Sequence, residues 1–257
     1  MDIKFGPSGI GSIKDVEETF RDYNEDGIRA AEIPFTYGVF IKKKEDMEMV
    51  RKASEKFDIR LSIHAQYWIN LNSKDKIKIE QSKKRILDCC KIGHEVGAYR
   101  IVFHPGYYQD IDKEQTFQNI KKAILDMQKE IKKNKWDVKL APEVMGKINV
   151  FGSVEEIKRL VDETGCEFCL DFAHIEAREK KIDFENIKKL FGKEKYWHCH
   201  FSGIEYGEKG EKKHIKTKKE KWEELLKNLP SDKKIVIINE SPEPVEDSIK
   251  GLEILKN

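Results

Sequence analysis

Lys234-Ile235-Val236-Ile237-Ile238-Asn239-Glu240 is an almost wholly apolar run that ends in a carboxylate. The run reads as a strand. An unpaired carboxylate at its end would be expensive, so Glu240 needs a cation or hydrogen-bond donors. The pattern recurs upstream, where Val138-Lys139-Leu140-Ala141-Pro142 precedes Glu143. Eight side chains of metal-ligand type stand at or just past the ends of such runs: His64, His104, Glu143, Asp171, His174, His200, His214 and Glu240. From His64 through His104, Glu143, Asp171 and His200 to Glu240 the intervals are 40, 39, 28, 29 and 40 residues, about one strand-plus-helix unit each. A chain that repeats strand then helix closes most simply into a parallel (β/α)8 barrel, with all strand C-termini at one mouth. Residues far apart in sequence would converge there.

Strand-like runs occur at Ile3–Phe5, Ala31–Thr36, Ile59–His64, Arg100–His104, Val138–Glu143, Glu167–Asp171, Tyr196–Phe201 and Lys234–Glu240. Between them lie stripes at helical spacing, such as Ile77, Ser82, Ile86, Cys89, Cys90, Ile92 and Val96, or Phe117, Ile120, Ile124, Met127 and Ile131. Ser153 with Glu156 has capping-box spacing, and Asp183 precedes another helical stretch. At 257 residues, with no Pro/Gly/Ser linker, residues 1–257 are expected to form one α/β barrel domain. Two irregular segments, Gln66–Asn72 and Ser202–Lys219, would be loops at its mouth.

Hydrophobic residues make up 39% of the chain and charged residues 37%, so a core forms beneath an ionic surface. A net charge of only +2 excludes a polybasic nucleic-acid binder, and any basic surface must be local. The five cysteines fall in helical or strand-like runs without a second pair at zinc-ribbon spacing, so Cys166-x2-Cys169 reads as packing thiols. Met1-Asp2-Ile3-Lys4 leads straight into a strand-like run, and no apolar run approaches the roughly 20 residues a membrane span needs. A soluble, cytoplasmic protein is expected.

Seven histidines are present, and five of them fall at or beyond strand ends. A lone histidine there is usually a packing residue, but five on one side of one domain, with two Glu and one Asp, suggest metal. Oxygen and nitrogen donors without thiolate suit zinc, manganese or iron. More candidates than one ion can use imply at least two, an arrangement suited to phosphoester hydrolysis.

Ser62-Ile63-His64-Ala65-Gln66-Tyr67, Phe103-His104-Pro105-Gly106, Cys169-Leu170-Asp171-Phe172-Ala173-His174, His200-Phe201-Ser202-Gly203 and Asn239-Glu240-Ser241-Pro242 together resemble endonuclease IV, the zinc-dependent apurinic/apyrimidinic endonuclease. Ile28-Arg29-Ala30-Ala31-Glu32-Ile33 resembles its early segment, so the similarity runs from about Gly9 to Pro242. The resemblance implies two or three zinc ions. His64 and His104 would hold the first, with Glu143 bridging to a second completed by Asp171, His200 and Glu240. His174 and His214 would serve the third. It implies a hydrolase that incises double-stranded DNA 5′ of an abasic site, with Glu143 and Glu240 as catalytic carboxylates, working as a monomer. Tyr67 and Trp68 match the position where family members fill the gap left by the missing base.

The chain departs from the pattern at the third site. The family's Asp two residues before the last histidine is Lys212 here, which leaves either Glu208 or Glu211 as a substitute ligand or Lys212 as a direct phosphate contact. The family's Glu-Asn-Thr is Glu143-Val144-Met145, and its His-Leu-Asn-Asp is His200-Phe201-Ser202-Gly203. Seven lysines between Lys209 and Lys221, including Lys212 and Lys213, and the run Lys42-Lys43-Lys44 offer phosphate contacts. The alternative is a one-metal sugar isomerase or epimerase of the same barrel superfamily, whose Glu, Asp, His, Glu set resembles Glu143, Asp171, His200 and Glu240. Such a site would leave His64, His104, His174 and His214 surplus. A lesion binder without catalysis, with Lys212 as its mark, is a further rival.

Overall fold

The computed structural model describes residues 2–256. In chain order its elements are β1 (Asp2–Pro7), α1 (Val16–Glu25), β2 (Ala30–Pro34), α2 (Lys44–Lys56), β3 (Arg60–His64), α3 (Lys76–Val96), β4 (Arg100–Phe103) and α4 (Lys113–Lys133). There follow β5 (Lys139–Pro142), α5 (Val154–Thr164), β6 (Leu170–Asp171), α6 (Phe172–Glu179), α7 (Phe184–Phe191) and β7 (Tyr196–Phe201). The chain ends with β8 (Gly203–Gly207), β9 (Gly210–Ile215), α8 (Lys219–Asn228), β10 (Lys234–Asn239) and α9 (Pro244–Lys256).

Eight strands pair in parallel as two halves, β2-β3-β4-β5 and β1-β10-β7-β6. Single parallel bridges, Ser8 with Glu32 and Glu143 with Cys169, join the halves and close the barrel. At the first seam the backbones of β1 and β2 press together at Gly6, where a Cβ would sit 1.7 Å from the Ala30 carbonyl oxygen. Only glycine fits that approach.

Strand side chains alternate between two environments. Ile235 and Ile237, Leu61 and Ile63, and Ile101 and Phe103 face outward and join one large core with the helix faces. Ala30, Val236 and Ile238 form a separate cluster with Tyr99, and Val102, Ala141 and Cys169 form another, inside the barrel. The inward columns continue upward with period two. Val236 and Ile238 lead to Glu240, Val102 to His104, Ala141 to Glu143, Cys169 to Asp171 and His198 to His200. The apolar alternation that sets the register therefore also aims the polar end residues at the barrel axis.

The helices follow their sequence patterns closely. In α3 the stripe from Ser82 to Val96 is buried, but Ile77 in its first turn is 68% exposed, because the helix meets the barrel only one turn later. α4 buries Phe117, Ile120, Ile124, Met127 and Ile131. Ser153 and Glu156 form a full capping box on α5, and Asp183 accepts from the Asn186 N–H at the start of α7. All five cysteines are free and buried. Among the described residues no helix is long and apolar enough to cross a membrane.

The segment Ser202–Lys219, expected to be an irregular loop, contains an antiparallel hairpin of β8 and β9. Its tip docks on the loop after β5 through the Glu211 N–H, which donates to the Gly146 carbonyl at 3.1 Å. Gly210, at φ +97°, permits this because a Cβ there would meet that same carbonyl at 2.1 Å.

Candidate metal centre

The eight side chains singled out from the sequence meet at the C-terminal mouth. They form three overlapping sets whose donor atoms lie within 4.8 Å of one another. His64, His104 and Glu143 make the first set. Glu143, Asp171, His200 and Glu240 make the second, and Asp171, His174 and His214 the third. Glu143 thus belongs to two sets, as does Asp171. The sheet-to-helix switch explains how one strand end serves two sets. Asp171 ends β6 and caps α6, accepting from the His174 N–H at 2.8 Å, so His174 stands in the first turn beside it.

Glu143 is fully buried. Its Oε2 lies 3.1 Å from His64 Nε2 and 3.0 Å from His104 Nε2, and its Oε1 lies 3.2 Å from His200 Nδ1. Glu240 Oε2 is 3.5 Å from His200 Nδ1 and 4.0 Å from His214 Nε2. Beside them opens a cleft of about 320 Å³, bounded by Tyr67, Tyr107, Lys147 and Glu211 as well as by His64, His104, His174, His214 and Glu240 of the cluster.

Backing hydrogen bonds determine which ring nitrogen is free. His64 Nδ1–H donates to the Ala65 carbonyl at 2.7 Å, and His174 Nδ1–H to the Val144 carbonyl at 3.0 Å. Ser202 gives its own proton to the Gly203 carbonyl, so its oxygen accepts from His214 Nδ1–H at 2.6 Å. Each of these rings therefore presents a bare Nε2 to the cluster.

Two features show that cations fit. With His64 Nδ1–H committed to Ala65, the Nε2 lone pair faces a Glu143 oxygen at 3.1 Å. Acceptor against acceptor is repulsive unless a proton or cation lies between them. Asp171 Oδ2 is buried without a hydrogen bond, since the nearest ring proton, on His174 Nδ1, goes to Val144. A buried orphan acceptor in a ring of imidazoles is the donor set for a divalent ion.

The same electrostatics appear in the protonation equilibria without ions. Burial alone would push His64 down, but the hydrogen bond and charge of Glu143 outweigh it and hold its pKa up at about 9. His174 and His200 are raised likewise against burial, the former chiefly by Asp171. Burial opposes ionisation of Glu143 and Glu240, yet His200 keeps both well into the carboxylate form, Glu240 at about 2. Burial raises Asp171 to about 6.

A pH dependence follows for protein kept in chelator. A histidine whose folded pKa exceeds its unfolded value adds stability that is full below about 6.5 and lost as pH rises through the folded value. For His64 that window runs from about 6.5 to about 9. The melting temperature in EDTA is thus expected to fall between pH 6.5 and 9, while zinc uptake strengthens over the same range because the same protons must leave. Differential scanning fluorimetry with and without zinc measures both.

The other residues read from the sequence have different placements. Tyr67, 41% exposed, stands at the rim with its ring 5.6 Å from His64 and 5.5 Å from His104. Trp68, 48% exposed, is beside it but not in the cleft wall. Lys42 and Lys43 are exposed on the loop before α2. Lys213 pairs with Glu205 at the surface, 3.2 Å away. Lys212 is exposed and bulged: Glu205 pairs with Lys213 and Tyr206 with Glu211, leaving it without a partner residue across the ladder. In a regular strand, residues three apart face opposite sides. The bulge inserts one residue, so Glu211 and His214 both face the cluster. Glu211 Oε2 lies 3.4 Å from His174 Nε2, occupying the place the sequence pattern left to Lys212. Gly146 leaves room for it, because a Cβ there would sit 2.8 Å from Glu211 Cβ.

Three site neighbours escaped the sequence reading. Tyr107 and Lys147 lie on loops that carry no strand-end signature. Glu32 is fully buried in β2, beneath the cluster. Its carboxylate stands in the middle of the run Ala30-Ala31-Glu32-Ile33-Pro34, so it lacks the strand-end position that marked Glu143 and Glu240.

Comparison with known proteins agrees with this fold. A family profile described as xylose isomerase-like TIM barrel matches residues 20–257. An uncharacterized protein of Methanocaldococcus jannaschii, MJ0133, is 33% identical over 93% of this chain and 91% of its own length. A probable endonuclease 4 of Mycobacterium marinum is 29% identical over 63% of each chain, so the match spans less than two thirds of that relative. Among solved structures, SacUVDE superposes with a TM-score of 0.74 at 15% identity, covering 100% of this chain and 98% of that one. Endonuclease IV from Thermus thermophilus gives 0.70 at 19%, covering 98% and 97%. D-psicose 3-epimerase from Clostridium cellulolyticum gives 0.69 at 13%, covering 98% of each. At these identities the structural likeness shows the fold alone.

Proposed function

Because the chain belongs to the xylose isomerase-like TIM barrel family, we propose that its mouth is the centre of a metal-dependent endonuclease that hydrolyses double-stranded DNA 5′ of an abasic site. The observation that carries the reading is the grouping of the donors into three overlapping sets. An isomerase of one metal needs only the middle set, Glu143, Asp171, His200 and Glu240. It has no use for His64 and His104 on one side or His174 and His214 on the other. The mycobacterial endonuclease 4 likeness supports the same choice.

In this reading His64, His104 and Glu143 would hold one zinc. Glu143, Asp171, His200 and Glu240 would hold a second, and His174 and His214, with Asp171 and Glu211 beside them, a third. Manganese or iron would suit the same donors. Such ions supply an activated water at neutral pH and offset charge on the attacking and leaving oxygens. Glu240, ionised and at the edge of the cleft, accepts a hydrogen bond from the attacking water. Glu143 fixes His64, His104 and His200 about a common centre. Tyr67, held against His64 and His104, enters the gap where the base is missing, with Trp68 next to it on the same loop. Lys147 contacts the phosphate from the cleft wall, and Lys42, Lys43, Lys212 and Lys213 grip phosphates further along the duplex. Hydrolysis forms a bond from water oxygen to phosphorus and breaks the P–O3′ bond. The 3′ oxygen takes a proton, leaving a 3′-hydroxyl and a 5′-deoxyribose phosphate. The protein works as a monomer on DNA in the cytoplasm.

The bulge gives a local prediction. Glu211→Ala is expected to weaken one bound ion by about 10-fold or more, whereas Lys212→Ala leaves the metal content unchanged and lowers only the salt sensitivity of DNA binding. Metal analysis after dialysis against a competing chelator separates the two.

The epimerase reading keeps a specific observation in its favour, since the middle set alone has the four ligands it requires. A paired assay on the metal-loaded protein decides. One arm measures cleavage of a duplex with a tetrahydrofuran abasic analogue. The other measures solvent deuterium entering ketohexoses, as proton transfer at carbon would require. Cleavage without exchange is expected, and exchange without cleavage would give the site to the epimerase.

A further inference from the structure

His200 differs from His64, His174 and His214 in how its ring is backed. His64, His174 and His214 each tie Nδ1–H to a neutral oxygen and offer Nε2. His200 instead points Nδ1 at Glu143 and Glu240, 3.2 and 3.5 Å away, and turns Nε2 down into the barrel. There it lies 3.0 Å from Glu32 Oε1, near but not aligned for a hydrogen bond, and neither atom has a hydrogen-bond partner, so each is the other's nearest candidate. Both residues are fully buried.

Glu32 is itself held on its other oxygen. Ser62 Oγ–H donates to Oε2 at 2.7 Å, and His198 Nε2 lies 3.3 Å from the same atom. His198 Nδ1 lies 2.6 Å from the Tyr99 hydroxyl, and the Arg60 guanidinium stacks on the Tyr99 ring 4.0 Å from its centroid. With Tyr99 donating to His198 Nδ1, the ring has one proton left, on Nε2, and it points at Glu32. The donors and acceptors of Tyr99, His198, Ser62 and Glu32 Oε2 are therefore consistent, and Glu32 Oε1 is left as the acceptor facing His200 Nε2. Once Nδ1 gives its lone pair to an ion, the remaining proton of His200 is on Nε2, toward Glu32.

We infer that Glu32 is a positioning residue of this centre: it fixes the tautomer and tilt of His200 so that Nδ1 serves the ion shared by Glu143, Asp171, His200 and Glu240. The inference rests on the metal reading above and deepens it. A carboxylate behind a ligand imidazole orients the ring and makes it a stronger donor, and loss of such a partner commonly costs 10- to 100-fold in metal affinity. Neutral backing, as at His64 and His174, orients a ring without that electrostatic push. The effect should be confined to one ion, because Glu32 contacts no donor of the His64–His104 pair or the His174–His214 pair.

The test titrates zinc and cobalt against a competing chelator in the full-length protein, with no DNA present. Wild type, Glu32→Ala and Glu32→Gln are compared, with circular dichroism and melting of the metal-free forms alongside. Glu32→Ala is expected to weaken one ion by about 10- to 100-fold, leave the remaining ions unchanged, and alter the visible spectrum of cobalt at that ion. Glu32→Gln, nearly isosteric, should recover part of the affinity because its carbonyl oxygen can still accept from Nε2–H. Wild-type titrations in both variants would overturn the inference. Equal loss of every ion in Glu32→Gln, with a lowered melting point, would also overturn it and make Glu32 a plain core residue. A wild type that binds no ion would sink the inference together with the metal reading. A wild type that binds its ions but never cuts DNA would sink the nuclease reading alone.

Discussion

Glu143→Gln is expected to lower incision of abasic DNA by on the order of 10⁴-fold, about 5.5 kcal/mol in the barrier, with little change in the apo fold. The expectation rests on geometry. Four imidazole nitrogens lie within 3.4 Å of this one carboxylate, and both of its oxygens are engaged, Oε2 by His64 and His104, Oε1 by His174 and His200. An amide of the same shape preserves packing but removes the negative charge and gives one arm a donor where only acceptors are wanted. Two donor sets then lose their common member. The measurement is single-turnover cleavage of a lesion duplex, with metal analysis of the same sample. Loss of two ions together with activity is the expected pair of results, and wild-type metal content with wild-type rate would refute the bridging role. His104→Ala should be milder, because its loss affects only one set.

Removal of metal is expected to have the second-largest effect. Without cations the mouth holds three buried or nearly buried carboxylates, Glu143, Asp171 and Glu240, among rings whose free nitrogens point at them. Ions at about 1,000 times their dissociation constant would add roughly 4 kcal/mol each to folding stability. For a domain of this size each kcal/mol corresponds to about 2–4 °C, so dipicolinate or EDTA should lower the melting temperature by at least about 8 °C. Activity should vanish with it and return on addition of zinc or manganese. A melting curve indifferent to chelator would mean that the cluster is a hydrogen-bonded core and holds no ion.

Much of this was legible in the sequence because one physical pattern encodes both fold and site. A strand buried on both faces must be apolar, so a polar residue at its end is conspicuous, and period-two alternation tells which way it faces. His64, His104, Glu143, Asp171, His200 and Glu240 were all readable on that basis. The parts that were not legible lack the pattern. Gly203-Ile204-Glu205-Tyr206-Gly207 and Gly210-Glu211-Lys212-Lys213-His214-Ile215 form a real hairpin, yet their charges and glycines carry no apolar alternation. The hairpin is fixed instead by docking on α6 and on Gly146. The bulge at Lys212 is harder still, since reading side-chain direction from sequence assumes an unbroken ladder. Without it Lys212 would stand at the third site, whereas the fold brings in Glu211. Glu32 was missed for a different reason. It sits mid-strand, in a position the eye assigns to the core, and only its contacts with His198, His200 and Ser62 reveal its place beneath the mouth.

The rim aromatics add a physical constraint on the substrate. Tyr37, 84% exposed, meets Tyr67 edge-on at 5.7 Å, and Tyr107 stands across the cleft at 43% exposed. Exposed rings around a polar cleft suit stacking on bases next to a gap, and a small ketose would leave them unused. This contrast is another reason to prefer a nucleic-acid substrate.

The most direct measurement is the position of the cut in a 5′-labelled duplex with a single tetrahydrofuran abasic analogue, incubated with zinc or manganese and with EDTA as control. The analogue cannot break by β-elimination, so scission requires hydrolysis. The account predicts one labelled product ending immediately 5′ of the lesion, with a 3′-hydroxyl that a DNA polymerase can extend, and none in EDTA. An intact duplex with folded, metal-loaded protein, or a cut elsewhere that ignores the chelator, would contradict it.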